Sequence, residues 1–166
     1  MNDQSPAISV VVPLFNEEES VPLLQNEVMA ALAGLEFEII FVDDGSVDGT
    51  AERIAPSPQV RVIRFAKNAG QSAAMYAGLQ AARGAVVVLI DGDLQNDPAD
   101  IRKLLAAIES GADLACGYRT QRKDTLAKCL TSRLAIAVGC RFTTDGAPPT
   151  GCTHTPIRTD GIHPVI

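Results

Sequence analysis

Val86-Val87-Val88-Leu89-Ile90-Asp91-Gly92-Asp93-Leu94-Gln95 is the stretch that decides the fold. Its first half is short, β-branched and free of charge, which reads as a strand buried on both faces. Its second half puts two carboxylates at the strand's exit, spaced to share one hard cation. Mg²⁺ or Mn²⁺ prefers such oxygen ligands and can bridge to a phosphate. Gly92 lets the backbone turn closely between them. An Asp-x-Asp triplet by itself also reads as an ordinary strand-exit turn.

The same arrangement recurs along the chain. Ile8 to Val12 is a second strand candidate, leading into Pro13-Leu14-Phe15-Asn16-Glu17. Glu38 to Val42 leads into Asp43-Asp44-Gly45-Ser46, and Val60 to Phe65 into Lys67-Asn68-Ala69-Gly70. Ala112 to Cys116 leads into Gly117-Tyr118-Arg119. Each polar cluster follows a strand. In open parallel α/β sheets, ligands bind outside the carboxyl ends of the strands, so the clusters are expected to meet on one edge.

Helical patterns separate the strands. Val21, Leu24, Val28 and Leu32 fall on one helix face, with Pro22 in the first turn and Glu17 to Glu19 near the positive end. Gln71 to Arg83 is alanine-rich, with Gly84 as the expected C-cap. Asp97-Pro98 reads as an N-cap and first helical position, ahead of Ile101, Leu104, Leu105 and Ile108. Alternating strands and helices predict an α/β fold, with a mostly parallel sheet flanked by helices.

Bulk properties narrow the function. The 166 residues fit one domain with a real core, and the formal charge of −6 argues against nucleic-acid binding. There is no apolar run of about 18 residues, so nothing in the sequence reads as a membrane span. Met1-Asn2-Asp3-Gln4 lacks the basic and apolar regions of a signal peptide, so a cytoplasmic location is expected. Cys116, Cys129, Cys140 and Cys152 have no Cys-x-x-Cys spacing, which argues against zinc and for reduced thiols. His154 and His163 lie in a segment rich in Pro and Thr, with no chemical role expected.

Arg119, Arg122, Lys123, Lys128, Arg133 and Arg141 gather in one stretch, where Leu126, Leu130 and Leu134 recur every four residues. An amphipathic helix with a solvated basic face explains this. So does a clamp on diphosphate, combined with peripheral contact at the inner face of an anionic membrane. Arg119 favours the clamp, because it follows a strand.

Taken together, the motifs resemble family 2 glycosyltransferases, which have a GT-A (Rossmann-like) fold. They are Val12-Pro13-Leu14-Phe15-Asn16-Glu17, Val42 to Thr50, Lys67-Asn68-Ala69-Gly70-Gln71 and Asp91 to Pro98, in the family's order. The branch they resemble contains dolichyl-phosphate mannosyltransferase and bacterial polyprenyl-phosphate sugar transferases. Gly117-Tyr118-Arg119, Ser132-Arg133 and Thr144-Asp145-Gly146 extend the likeness, which covers roughly residues 7 to 152.

That resemblance implies an inverting transfer from a nucleotide-diphosphate sugar to an acceptor, expected to be a polyprenyl phosphate. It implies that Pro13, Phe15 and Glu17 line the base and ribose. Asp44, with Asp43, would hydrogen-bond the base or ribose; an Asx turn with Ser46 is the competing reading of Asp44. Lys67 and Gly70 would approach the nucleotide. Asp91 and Gly92 would lie against it, with Asp91 at the ribose or metal. Asp93 would bind the metal, Mg²⁺ or Mn²⁺, and Gln95 would complete its shell. Arg119 and Arg133 would hold the diphosphate or the acceptor phosphate.

The C-terminal end departs from the family. Ile136 stands in the region of a usual asparagine, and Pro149 where an Asp usually precedes Thr-Gly-Cys. The expected organisation is a tail over 1–6, a glycosyltransferase domain over 7–152 that is incomplete at its C-terminal end, and an irregular tail over 153–166. The chain thus reads as C-terminally truncated. Removing 153–166 is expected to leave stability and nucleotide affinity nearly unchanged. Two other classes stay open. One is a truncated, non-catalytic remnant that keeps nucleotide binding. The other is a phosphatase with Asp91 as nucleophile, disfavoured because Gln95 and Asn96 follow where that class wants a Thr.

Overall fold

The computed structural model describes residues 6–112, Ala115 and the backbone of His154–Arg158. By contacts the chain divides into a unit of residues 1–117 and 153–166 and a second unit of 118–152, which lies outside the described residues. Among the described residues the elements are β1 (Ile8–Leu14), α1 (Val21–Ala31), β2 (Phe37–Asp43), a 3₁₀ turn (Ala51–Arg53), β3 (Val60–Arg64), α2 (Gln71–Ala81), β4 (Val86–Ile90), α3 (Asp100–Glu109) and β5 (His154–Arg158). They form one five-stranded sheet in the order β3-β2-β1-β4-β5. β1 to β4 are parallel and β5 runs antiparallel to β4.

Strand alternation sends side chains to two cores. Val10, Val12 and Leu14 join Phe41, Val88 and Ile90 beneath α1 and α3. Val11, Ile40, Val42 and Val87 pack with Ala74 of α2 on the other face. Both faces of β1 and β2 are covered, which is why these strands read as unbroken apolar runs. Val21, Leu24, Val28 and Leu32 are all fully buried, as their helical spacing predicts.

α3 spans Asp100–Glu109 with Ala99 at its N-cap position. The turn ahead of it keeps the capping chemistry expected of Asp97-Pro98: Asp97 Oδ1 accepts the Ala99 N–H at 2.9 Å, two residues on. Two expectations need correction. α2 ends at Ala81, and Gly84 is not its cap. Gly84 runs against β1, where a Cβ would lie 2.6 Å from the Ser9 nitrogen. The segment 153–166 is not wholly irregular: His154–Arg158 pairs with β4 along its whole length, from Val86 opposite Arg158 to Ile90 opposite His154. Pro156 lacks an N–H and so weakens the strand signal, yet it is tolerated in an edge strand. The strand expected over 112–116 falls mostly outside the described residues, and the described Ala112 and Ala115 are not in a strand.

The strand order reverses between β1 and β4. This is a topological switch point, where the loops after neighbouring strands part and leave a crevice at the carboxyl edge.

Candidate functional site

An open cleft of about 510 Å³ lies at that crevice. Its lining comes from three strand exits and one helix start. β1 supplies Pro13, Leu14, Phe15 and Glu17; the turn after β2 supplies Asp44; the loop into α2 supplies Asn68, Gly70 and Gln71; the exit of β4 supplies Asp91, Gly92 and Asp93. Of the residues expected from the sequence, Pro13, Phe15, Glu17, Asp44, Gly70, Asp91, Gly92 and Asp93 come together here. Leu14, Asn68 and Gln71 were missed. Gln71 had one available signal, its place as the first helical residue after a strand-end loop.

Asp43, Lys67 and Gln95 do not line the cleft. Asp43 is fully buried, and its Oδ1 accepts the Ser46 N–H at 2.9 Å. Its Oδ2 makes no aligned hydrogen bond but lies 3.1 Å from Arg64 Nε, a charge contact off the N–H direction. The side-chain bond to the Ser46 N–H therefore belongs to Asp43, three residues before it, not to Asp44. Lys67 and Gln95 are exposed. Arg119 and Arg133 lie outside the described residues.

The loop carrying Phe15 and Glu17 is fastened to the segment after β2. Ser46 Oγ accepts the Asn16 N–H at 2.9 Å, and Thr50 Oγ1 accepts the Glu17 N–H at 2.8 Å. Thr50 Oγ1 donates in turn to Asp48 Oδ1, and that bond holds the Asp48 carboxyl below its ordinary range. Asn16 occupies the left-handed region at φ 56°, with its Oδ1 accepting the Val47 N–H at 3.0 Å. Asn tolerates that conformation better than most residues, and these bonds hold it there.

Asp44 is buried, at 2% exposure, and its carboxylate grips the neighbouring loop. Oδ1 accepts the Ala69 N–H at 2.7 Å and Oδ2 the Gly70 N–H at 2.9 Å. The loop can come this near because Gly45, at φ +70°, has no Cβ; one there would lie 2.5 Å from the Lys67 carbonyl carbon. Gly92 serves a similar close approach on the other side, where a Cβ would fall 2.6 Å from Leu14 Cδ2.

At the β4 exit, Asp93 Oδ1 accepts the Gln95 N–H at 3.0 Å, with Leu94 left-handed at φ 56°. Gln71 Nε2 donates to Asp91 Oδ1 at 2.9 Å. The strand-exit turn is thus made by Asp93 and Gln95, and both aspartates still line the cleft. Hard carboxylate oxygens on a shared, open rim are a donor set that fits a divalent cation of the Mg²⁺ or Mn²⁺ type.

The family model for glycosyl transferase family 2 matches residues 9–159. The chain belongs to this family. Among curated family 2 relatives, the dodecaprenyl-phosphate galacturonate synthase of Rhizobium johnstonii is 43% identical over 131 residues, covering 74% of this chain and 39% of the relative. An undecaprenyl-phosphate 4-deoxy-4-formamido-L-arabinose transferase of Photorhabdus laumondii is 36% identical over 157 residues, covering 90% of this chain and 48% of the relative. The chain therefore spans less than half the length of these relatives. Among solved structures, glucosyl-3-phosphoglycerate synthase from Mycobacterium tuberculosis, crystallised with Mn²⁺, UDP-glucose and glycerol 3-phosphate, superposes with a TM-score of 0.65 at 26% identity, covering 92% of this chain and 57% of that one. The match to residue 159 takes in β5, so the family likeness runs past the expected boundary at 152. Among the described residues, no helix is long and apolar enough to cross a membrane.

Proposed function

We propose that this family 2 chain carries the donor-binding part of an inverting glycosyltransferase, which moves a sugar from a nucleotide-diphosphate sugar to a polyprenyl phosphate. The observation that carries the reading is the cleft itself. It sets Asp44 and the Phe15–Glu17 loop on one side and Asp91 and Asp93 on the other, at the switch point of a parallel sheet. The named activities of the curated relatives support the polyprenyl-phosphate acceptor.

The nucleoside binds between Pro13, Phe15 and Glu17 and the Asp44 turn, while Gly70 approaches it from the α2 loop. Phe15 is 45% exposed, a large apolar surface offered to a planar base. Asp91 and Asp93 are the residues that would hold Mg²⁺ or Mn²⁺, which would supply positive charge for the departing diphosphate. Arg119 and Arg133 add positive charge toward that diphosphate or the acceptor phosphate. The acceptor oxygen attacks the anomeric carbon from the face opposite the diphosphate, so the configuration inverts. A lipid phosphate is already anionic near neutral pH, so the site needs to position it rather than deprotonate it. The basic stretch from Arg119 to Arg141 suits peripheral contact with an anionic inner membrane face from the cytoplasmic side.

Calorimetric titration tests this reading. UDP should bind more tightly with Mn²⁺ than without, and Asp93→Asn should remove that gain while leaving metal-free uridine binding intact. Asn keeps the local turn chemistry, so the fold is preserved. Equal UDP affinity with and without Mn²⁺ would refute the metal assignment, and no nucleotide binding at all would refute the site.

A further inference from the structure

Gln71 opens α2 on the rim of the cleft, with an exposed side chain. Its amide Nε2 donates to Asp91 Oδ1 at 2.9 Å. Its backbone position is set by the residue before it. Gly70 stands at φ +97° as the N-cap of α2, and its carbonyl accepts the Ala73 and Ala74 N–H groups at 2.9 and 3.2 Å. Gly70's own N–H is held by Asp44 Oδ2 at 2.9 Å. Two carboxylates from opposite sides of the cleft are therefore linked through one peptide step: Asp44 holds Gly70, and Gln71 holds Asp91.

We propose that Gln71 is a positioning residue, which fixes the Asp91 carboxylate and couples the nucleoside half of the cleft to its diphosphate half. The inference rests on the reading of the cleft given under the proposed function. A hydrogen bond to one carboxylate oxygen narrows the rotation of the group about its side-chain torsions. Pinning Oδ1 sets the direction of Oδ2 before any ligand arrives, so less order has to be imposed on binding. The chemistry of Gln suits the task. A Lys or Arg donor would neutralise the carboxylate that a cation or a ribose hydroxyl must meet. A neutral amide holds the group and leaves its charge in place. The coupling follows from the connectivity. A ligand that holds Asp44 and its loop more tightly also steadies Gln71, and through it Asp91.

The test uses the full chain, with UDP, uridine and Mn²⁺ as probes in calorimetry. Gln71→Met keeps the length and removes the donor. It should lower the Mn²⁺-dependent UDP affinity by about tenfold and leave uridine affinity and the melting temperature unchanged. A merely structural role would instead lower the melting temperature and move uridine and Mn²⁺–UDP affinities together, and that result overturns the proposal. In an Asp44→Asn background, Gln71→Met should cost measurably less than in the wild type; additive effects would overturn the coupling. If wild-type chain binds UDP with Mn²⁺ but Gln71→Met is indistinguishable from it, Gln71 has no positioning role and the reading of the cleft survives. If wild-type chain does not bind, that reading fails and this inference fails with it.

Discussion

Asp44 and Gly70 are joined across 26 positions of sequence by a 2.9 Å hydrogen bond from the Gly70 N–H to the Asp44 carboxylate. With the second bond, from Ala69, it makes a buried acid the fastening of the loop that borders the cleft. Asp44→Ala removes both charge-assisted bonds and leaves two N–H groups to find other partners, a local cost of about 1–3 kcal/mol. Lys67 is exposed in that loop and marks it for trypsin. The variant should be cleaved there several-fold faster than the wild type, and should bind uridine more weakly even without metal. Unchanged cleavage together with unchanged affinity would mean that the loop is held by other contacts.

Glu38 ties together the opposite, amino-terminal end of the sheet. It accepts the Ser9 hydroxyl at 2.7 Å, Arg61 Nη1 at 3.0 Å and the Arg83 N–H at 2.9 Å. Burial pushes this carboxyl up, but the bonds from Ser9, Arg61 and Arg83 and the Arg61 charge together bring it below its ordinary value of 4.5. A carboxyl lowered in the folded state stabilises fully above its unfolded value, and that contribution is lost as pH falls through the folded value. Glu38→Gln should therefore cost about 1–3 kcal/mol at neutral pH, and the deficit should shrink progressively below pH 4.5. Urea midpoints of both proteins across that range decide it; a gap that stays constant with pH would rule out the linkage.

Three of the four parallel strands were legible because Val10 to Val12, Ile39 to Val42 and Val86 to Ile90 are apolar without interruption, and sheets covered on both faces demand that; the edge strand β3 was legible from the alternation of Val60-Arg61-Val62-Ile63-Arg64. The strand-end clusters were legible for a related reason: polar residues directly after buried strands have few places to go except the carboxyl edge. What the residues did not announce were long-range backbone partners. Nothing local distinguishes Asp43, which is spent on Ser46 and Arg64, from Asp44, which reaches Ala69 and Gly70. Gly84 looked like a helix cap because its actual constraint, the Ser9 and Ile8 backbone, lies 75 positions away in sequence at Ser9. The strand β5 was illegible because Pro156 breaks the ladder pattern and the partner that accommodates it is β4.

Gly78 offers a test of how tightly α2 sits on the sheet. A Cβ there would fall 2.2 Å from Val11 Cγ1, and Val11 is fully buried. In an exposed helix, Gly→Ala gains about 1 kcal/mol. Here the clash must be relieved by moving α2 or β1, at about 1–3 kcal/mol. Gly78→Ala should therefore destabilise the fold despite the helical gain, with a lower melting temperature. Adding Val11→Ala should recover part of the loss by making room for the new methyl. A Gly78→Ala chain more stable than wild type would show that the helix and strand are loosely packed.

The last expectation concerns β5, whose pairing with β4 covers Val86–Ile90 and brings His154 level with Ile90, the residue before Asp91. Removing residues 153–166 takes away a ladder of five paired residues. At about 0.5–1 kcal/mol for each hydrogen bond, the ladder is worth ~2–4 kcal/mol. The deletion also turns β4 from an inner strand into an edge, with unpaired backbone groups beside the cleft. Stability should fall by that amount, read as a lower urea midpoint. Mn²⁺-dependent UDP affinity should fall more than uridine affinity, because the exposed strand end carries Asp91 and Asp93 and not the Asp44 turn. A deletion that changes neither midpoint nor affinity would show that β5 contributes nothing to the domain, and that the sheet is held by its four parallel strands alone.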